Sequence, residues 1–181
     1  MRVTPTEIAD VLIVEPRVFA DERGFFLESY NRRAFRQATG IDVEFVQDNH
    51  SRSARNVLRG LHYQIRQPQG KLVRVTMGEV WDVAVDLRAS SATFGKWVGC
   101  TLDAKSARCL WVPAGFAHGF VVVSEAAEVQ YKTTDYYAPE YERTLLWNDP
   151  ALAIPWPLRG EPVMADKDRR GAPLATAERF A

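Results

Sequence analysis

Apolar and polar residues alternate over several short segments of this sequence, with the period of a β-strand that has one buried face. The longest such segment is residues 80–87. Its two predicted faces carry Trp81, Val83, Val85 and Leu87 on one side and Val80, Asp82, Ala84 and Asp86 on the other. A strand with one apolar and one half-polar face suits a barrel whose interior accommodates a ligand.

Other segments with strand-like composition lie on both sides of this one and end at turn-forming residues. They are residues 11–14, 45–50, 73–77, 94–99, 109–113, 119–123 and 129–133. Gly78 and Glu79 separate residues 73–77 from residues 80–87, so these two segments are predicted to form a hairpin.

Residues 31–39 predict the one clear helix, because Asn31 can cap its first turn and Gly40 can end its last. Short, closely spaced strands with one short helix near the N-terminus predict a mainly β fold, an antiparallel β-barrel or jelly roll.

Beyond Tyr136 several prolines would interrupt strand pairing, so an irregular tail is predicted there. Because the tryptophans of this tail favour burial, the tail should wrap the barrel. Without a linker or an internal repeat, residues 1–181 are predicted to be a single domain.

The composition argues against several classes of function and location. Lysine plus arginine and aspartate plus glutamate number 23 each, so bulk charge gives no support for binding to nucleic acid or to a membrane surface. Cys100 and Cys109 are expected to be reduced thiols. The N-terminal residues lack the apolar run of a signal peptide, and no apolar run is long enough to span a bilayer, so a cytoplasmic location is expected.

Histidine exchanges protons near neutral pH, and the chain has three histidines, His50, His62 and His118. His62 lies among strand-forming residues, with Arg59 before it and Lys71 after it. In one pocket these side chains would supply a base, an anion clamp and a cation for a developing negative charge, which suits proton abstraction next to a carbonyl. Arg52, Arg55 and Arg59 also predict a locally basic loop.

The motif Pro113-x-Gly115-x-x-His118 resembles the second signature of cupin barrels, whose histidine usually binds a metal ion. A metal cupin would carry a His-x-His pair in its first signature, whereas this chain has His62-Tyr63-Gln64. Because a catalytic metal site normally needs three protein ligands, no metal and no cofactor are expected.

Several longer motifs resemble those of the dTDP-4-dehydrorhamnose 3,5-epimerase family, in the family's order and over nearly the whole chain. They are Phe19-x-Asp21-x-Arg23-Gly24-x-Phe26-x-Glu28, Phe45-Val46-Gln47-Asp48-Asn49-His50-Ser51, Leu58-Arg59-Gly60-Leu61-His62-Tyr63-Gln64, Gly70-Lys71-Leu72-Val73-Arg74, Asp82-Val83-Ala84-Val85-Asp86-Leu87-Arg88, Pro113-x-Gly115-Phe116-Ala117-His118-Gly119-Phe120, Trp147-Asn148-Asp149-Pro150 and Asp166-Lys167-Asp168. The resemblance implies a metal-independent, homodimeric cupin-like barrel that acts on dTDP-4-dehydro-6-deoxy-D-glucose and inverts C3 and C5.

The resemblance also implies catalytic roles. The position of His62 is that of the base, and the position of Asp168 is that of the carboxylate that orients it by bonding the other imidazole nitrogen. Lys71 matches the cation beside the enolate oxygen, and Tyr131 matches the acid that returns a proton on the opposite face. Inversion requires two groups on two faces of the sugar.

Binding roles follow from the same comparison. Arg23 and Arg59 match groups that hold the diphosphate, and Tyr137 matches an aromatic residue that stacks on thymine. The remaining matched contacts to nucleotide and sugar are Glu28, Gln47, Asn49, His118, Glu142 and Lys167. Arg23, Phe26 and Glu28 are expected to reach the site of the partner subunit. The chain departs from the family pattern at Ala165-Asp166, where a serine is common.

Three other functions remain open at this point. A relative that epimerises C3 only would use the same base and nucleotide contacts, because small differences in sugar placement decide whether the second carbon meets the base. A non-catalytic cupin that binds sugar nucleotides would show binding without proton exchange. A metal-dependent cupin enzyme would lose its activity to chelators.

Overall fold

The computed structural model describes residues 1–181, and β-strands dominate it. The strands are β1 (Arg2–Pro5), β2 (Leu12–Glu15), β3 (Val18–Asp21), β4 (Gly24–Leu27), β5 (Gln47–Ala54), β6 (Leu58–Gln64), β7 (Lys71–Met77), β8 (Glu79–Asp86), β9 (Trp97–Asp103), β10 (Cys109–Val112), β11 (Phe116–Val122), β12 (Ala126–Thr133) and β13 (Glu142–Thr144). The helices are α1 (Arg32–Thr39), α2 (Asp166–Arg169) and a 3₁₀ turn at Pro139–Tyr141. None of these helices is long and apolar enough to cross a membrane.

Two antiparallel sheets face each other and enclose the main core. One sheet has six strands in the order β1-β2-β10-β7-β12-β5, and the other has five in the order β13-β6-β11-β8-β9. Strands β3 and β4 form a separate hairpin. The predicted mainly β, antiparallel jelly-roll fold is therefore confirmed.

The inner faces of the two sheets bury apolar side chains against each other. Val73 and Val75 of the six-stranded sheet share one apolar cluster with Val80, Ala84 and Phe120 of the five-stranded sheet. On the outer face of the five-stranded sheet a second cluster contains Leu61, Tyr63, Val83, Val85, Leu145, Leu152 and Ile154. Several of these residues belong to the tail, so the prediction that the tail wraps the barrel is confirmed.

Helix α1 has the predicted caps. The Asn31 side chain accepts a hydrogen bond from the Ala34 amide at 3.0 Å, and Gly40 ends the helix in the left-handed region with a φ of 74°. The helix places Phe35 against Trp111 on the outer face of the six-stranded sheet. It closes this face of the barrel without entering the site described below.

Two local predictions were wrong. Strand β7 pairs with β10 and β12, whereas β8 pairs with β9 and β11, so the chain passes from one sheet to the other at Gly78 instead of forming a hairpin. Alternation shows which residues share a face but not which strand lies alongside. The predicted basic loop is also wrong, because Arg52 lies in β5 and Arg59 in β6, and only Arg55 lies in the turn between them.

Candidate active site

A cavity of about 390 Å³ opens between the inner faces of the two sheets. Its lining includes eleven of the fourteen site residues predicted from the sequence, namely Gln47, Asn49, Arg59, His62, Lys71, His118, Tyr131, Tyr137, Glu142, Lys167 and Asp168. They come from both sheets, from the loop after β12 and from helix α2, which is distant in sequence. Acids, bases, amides and aromatic side chains therefore meet in one pocket whose volume is large enough to take a sugar ring.

Three predicted residues lie elsewhere. Arg23, Phe26 and Glu28 belong to the β3–β4 hairpin and the segment after it, and none of them lines the cavity of its own chain. Arg23 contacts Asp21 in the exposed hairpin turn, and the Phe26 side chain is 70% exposed. Their expected contribution to a partner subunit's site stays a prediction.

His62 is paired with a buried carboxylate. Its Nε2 lies 2.6 Å from Oδ1 of Asp168, a residue of helix α2 that is only 3% exposed. A carboxylate in this position accepts the Nε2–H and so favours the tautomer with an unprotonated Nδ1. Nδ1 has no hydrogen-bond partner in the protein. The pair is thus arranged to accept a proton from a ligand.

An irregularity in strand β6 brings Arg59 and His62 to the same cavity. Two residues three positions apart normally face opposite sides of a sheet. Here His62 pairs with His118 and Arg59 with Phe120, so three steps along β6 match two along β11. The extra residue is a β-bulge at Gly60, which has a φ of 122°. A Cβ on Gly60 would lie 2.6 Å from the Gly119 backbone, so glycine is required there.

Lys71 is a buried cation on the inner face of β7. Its Nζ donates one hydrogen bond of 3.3 Å to the backbone oxygen of His62. Burial lowers the pKa of Lys71 to about 8, although the negative charges of Asp82 and Glu142 act in the opposite direction. The ammonium form therefore predominates at neutral pH, with donors left over for an oxygen atom of a ligand.

Tyr131 lies on β12 of the six-stranded sheet, whereas His62 lies on β6 of the five-stranded sheet. The phenol and the imidazole therefore line the cavity from facing sheets. Burial raises the pKa of Tyr131, so its hydroxyl group remains protonated at neutral pH and can act as an acid.

A network of polar contacts surrounds Glu142. Lys167 Nζ lies 2.9 Å from both carboxylate oxygens, and the Tyr137 hydroxyl group donates to Oε2 at 3.1 Å. Burial raises the pKa of Glu142, but these hydrogen bonds and the neighbouring positive charges outweigh burial and lower it overall. On β5, Gln47 Nε2 donates to Asn49 Oδ1 at 2.9 Å, so both amides are fixed in orientation.

Two of the three histidines that line the cavity, His62 and His118, each direct Nε2 towards a buried carboxylate. His118 Nε2 lies 2.8 Å from Oδ1 of Asp82, as His62 Nε2 lies beside Asp168. No group of three His, Cys, Asp or Glu side chains is placed to hold a metal ion. The donor set is that of two carboxylate–imidazole pairs.

Comparisons with known proteins agree with this chemistry. The family model described as dTDP-4-dehydrorhamnose 3,5-epimerase matches residues 5–176. The chain belongs to the dTDP-4-dehydrorhamnose 3,5-epimerase family. The predicted family membership is confirmed, and the protein is an epimerase, an enzyme of the isomerase class.

Relatives of this epimerase cover its full length. It is 64% identical to dTDP-4-dehydrorhamnose 3,5-epimerase of Pseudomonas aeruginosa over 180 residues, 99% of each chain. The Legionella pneumophila dTDP-6-deoxy-D-glucose-3,5-epimerase, solved in complex with dTDP-4-keto-L-rhamnose, is 49% identical with a TM-score of 0.96. That match covers 98% of this chain and 94% of the other. A 3'-monoepimerase from Streptomyces bikiniensis, solved with dTDP-quinovose, is 35% identical with a TM-score of 0.89, over 97% of this chain and 88% of that one.

Sequence reasoning missed some residues of the epimerase cavity. Those that were given no role in the site beforehand are His50, Ser51, Tyr63, Gln64, Gln69, Gly119, Phe120 and Ala165. Alternation from His62 would have indicated Gln64, whose buried amide donates to the Gln67 oxygen at 2.8 Å and accepts from the Ala138 amide at 2.8 Å. Gln64 holds the start of the tail against the barrel and so shapes the cavity wall.

Proposed function

We propose that this protein is a dTDP-4-dehydrorhamnose 3,5-epimerase that converts dTDP-4-dehydro-6-deoxy-D-glucose to dTDP-4-dehydro-L-rhamnose. The observation that carries the proposal is the placement of a carboxylate-bound imidazole, His62, and a protonated phenol, Tyr131, on facing sheets of one cavity. C3 and C5 of this substrate flank the C4 ketone. Loss of a proton from either carbon therefore gives an enolate with its charge on the C4 oxygen.

Each half of the reaction uses four side chains. His62 takes the proton from the carbon, and Asp168 stabilises the imidazolium that forms. The electron pair of the broken C–H bond moves into the enolate, and Lys71 stabilises the negative C4 oxygen. Tyr131 then gives its proton to the opposite face of the carbon. Return of a proton to Tyr131 and loss of one from His62 restore both groups for the second carbon.

The other cavity residues are proposed to hold the nucleotide and the sugar. Arg59, whose Nε donates to Ser53 at 2.9 Å, has its remaining guanidinium donors free for a diphosphate. Gln47 and Asn49 supply amides, and Tyr137 supplies a ring for thymine. His118, Glu142 and Lys167 complete the proposed sugar-nucleotide contacts.

A homodimer in the cytoplasm is the proposed assembly and location. The β3–β4 hairpin exposes Phe19 at 49%, Phe25 at 71% and Phe26 at 70%, and exposed aromatic clusters of this kind mark interaction sites. Arg23 and Glu28 are proposed to reach the nucleotide of the partner subunit together with Phe26.

Incubation of the enzyme with the 4-keto substrate in deuterated water tests the function. We expect deuterium at both C3 and C5 and a product with the L-rhamno configuration by NMR. Label at C3 alone would assign the protein to the 3-epimerases, and nucleotide binding without label would make it a non-catalytic cupin. Loss of activity on exhaustive chelation, restored by a divalent metal ion, would support a metal-dependent enzyme instead.

The Tyr131→Phe variant should separate the two halves of the proton transfer. Removing the phenolic hydroxyl group removes the acid on one face, so net epimerisation should fall by about 10²–10⁴-fold. His62 can still remove and return a proton on its own face, so deuterium exchange without inversion should persist. NMR of the recovered sugar in deuterated buffer distinguishes the two outcomes, and normal inversion would contradict the role of Tyr131.

A further inference from the structure

Asp82 is a buried carboxylate without a role in the mechanism so far. It lies on the inner face of β8, with the side chain completely buried, beside Phe120 of β11 and Cys100 of β9. Oδ1 lies 2.8 Å from His118 Nε2, while Oδ2 is the only buried side-chain oxygen or nitrogen of the chain that lacks a hydrogen-bond partner. Such a group destabilises the fold, so its presence calls for an explanation.

The other carboxylates around the cavity are already paired. Glu142 bonds Lys167 and Tyr137, and Asp168 bonds His62. Lys71, in contrast, is a buried cation with a single hydrogen bond to a backbone oxygen. Asp82 is therefore the carboxylate with an oxygen free to accept a further hydrogen bond, and Lys71 is the buried cation that lacks a carboxylate partner.

We propose that Asp82 is a positioning residue of the epimerase, whose buried charge keeps Lys71 protonated and whose Oδ1 fixes the ring of His118 towards the sugar. This inference rests on the proposed function, because it concerns the ammonium group that stabilises the enolate. Asp82 itself does not line the cavity and acts through these two neighbours.

The electrostatics of Lys71 support this role. Burial is the largest effect on Lys71 and lowers its pKa to about 8, and the charge of Asp82 is the largest effect in the opposite direction, followed by Glu142. The other titratable groups that line the cavity around Lys71 are His50, Arg59, His62, Tyr63, His118, Tyr131, Tyr137, Lys167 and Asp168. Without the charge of Asp82, burial would lower the pKa of Lys71 further. A smaller fraction of Lys71 would then carry a proton near neutral pH.

The Asp82→Asn variant tests the proposal, because it keeps the shape and removes the charge. We expect the alkaline limb of the kcat/KM profile to shift to lower pH by about one unit. This is the lower end of the pKa change that a nearby opposite charge produces. Near pH 7.5 this shift corresponds to a loss of about threefold, most of which should be recovered below pH 7. The Lys71 signal in ¹³C-lysine NMR, assigned with a Lys71→Met sample, should titrate at lower pH by the same amount.

Asp86→Asn is the matched control. Asp86 lies on the same face of the same strand and is equally buried, but its carboxylate bonds Arg88, Ser91 and Thr93 outside the cavity. This variant should lower the melting temperature without moving the alkaline limb. A merely structural role of Asp82 would give the same pattern in Asp82→Asn.

An alkaline limb and a Lys71 titration that both stay at their wild-type positions in Asp82→Asn would overturn the inference. If that variant does not fold, Asp82→Ser, which also removes the charge and leaves room for water, carries the same expectation. A wild-type enzyme without epimerase activity would refute the proposed function instead, and the NMR titration would still decide whether Asp82 controls the charge of Lys71.

Discussion

The His62→Ala variant should lose deuterium incorporation at both C3 and C5 together. One imidazole serves both carbons, so removing it should slow the reaction by about 10³-fold or more, within the range of a general base. Asp168, which bonds Nε2 of His62, cannot substitute for it, because its carboxylate is almost fully buried behind the ring. Single-turnover exchange followed by NMR measures the effect at each carbon separately.

Binding of the nucleotide is the control for this variant. His62 is not among the proposed diphosphate or thymine contacts, so calorimetry should show dTDP binding close to that of the wild type. Exchange that persists at one of the two carbons would mean that a second base serves that position, and the single-base mechanism would have to be abandoned.

The Lys71→Met variant should show the second large effect. Methionine keeps the length and the buried packing of the side chain but removes the ammonium group. Loss of one such donor from a developing oxyanion costs about 10²–10³-fold in kcat. KM should change far less than kcat, because the negative charge on the C4 oxygen develops only as the proton leaves.

The wild-type pH profile follows from the same residue. Lys71 has a pKa of about 8 in the folded protein, compared with an ordinary value of 10.5. It therefore loses its proton as the pH rises through 8, and the enzyme should lose activity over the same range. Between these two values the unfolded chain binds more protons than the folded chain, so the contribution of Lys71 to stability increases with pH. Activity should therefore decline above pH 8 while this residue makes the fold more stable, and thermal denaturation over the same pH range separates the two effects.

Lys132→Met is the matched control for Lys71→Met. Lys132 lies on the neighbouring strand β12 and faces away from the cavity, where its ammonium group bonds Asp48 at 2.7 Å. Its replacement should leave the exchange rates and the alkaline limb unchanged. Equal losses in both lysine variants would show that general surface charge, and not the buried ammonium group, determines the rate.

The fold was largely predictable from local patterns. Alternation identified both faces of β8, and Asn31 and Gly40 correctly marked the ends of α1, because caps and alternation depend on neighbouring residues only. The partner of β7 was not predictable in this way. Residues that are adjacent in the jelly roll, such as Val73 and Tyr131, are far apart in the chain, and no local rule links them.

Local sequence indicated His62, Arg59 and Lys71 as parts of one site, but the other site residues were predictable only through family resemblance. The chain contains many aspartates, and nothing in the local sequence distinguishes Asp168, whose importance comes from a contact between residues 106 positions apart. Asp82 was assigned to a half-polar face, yet the structure shows this face to be completely buried there. Burial of this carboxylate depends on how strands β8, β9 and β11 pack together. The alternation of residues along one strand gives no information about that packing.

The bulge at Gly60 also has a consequence for attempts to redesign this enzyme for other sugars. A library that varies residues by counting every second position along β6 would mis-assign which side chains meet the substrate. Gly60 and Gly119 approach each other so closely that neither tolerates a methyl group. The backbone at this bulge therefore determines the spacing between Arg59, which is proposed to bind the diphosphate, and His62, the base. New specificities are better sought at Gln69 or Ser51, where a changed side chain alters the room for the sugar without changing the spacing between Arg59 and His62.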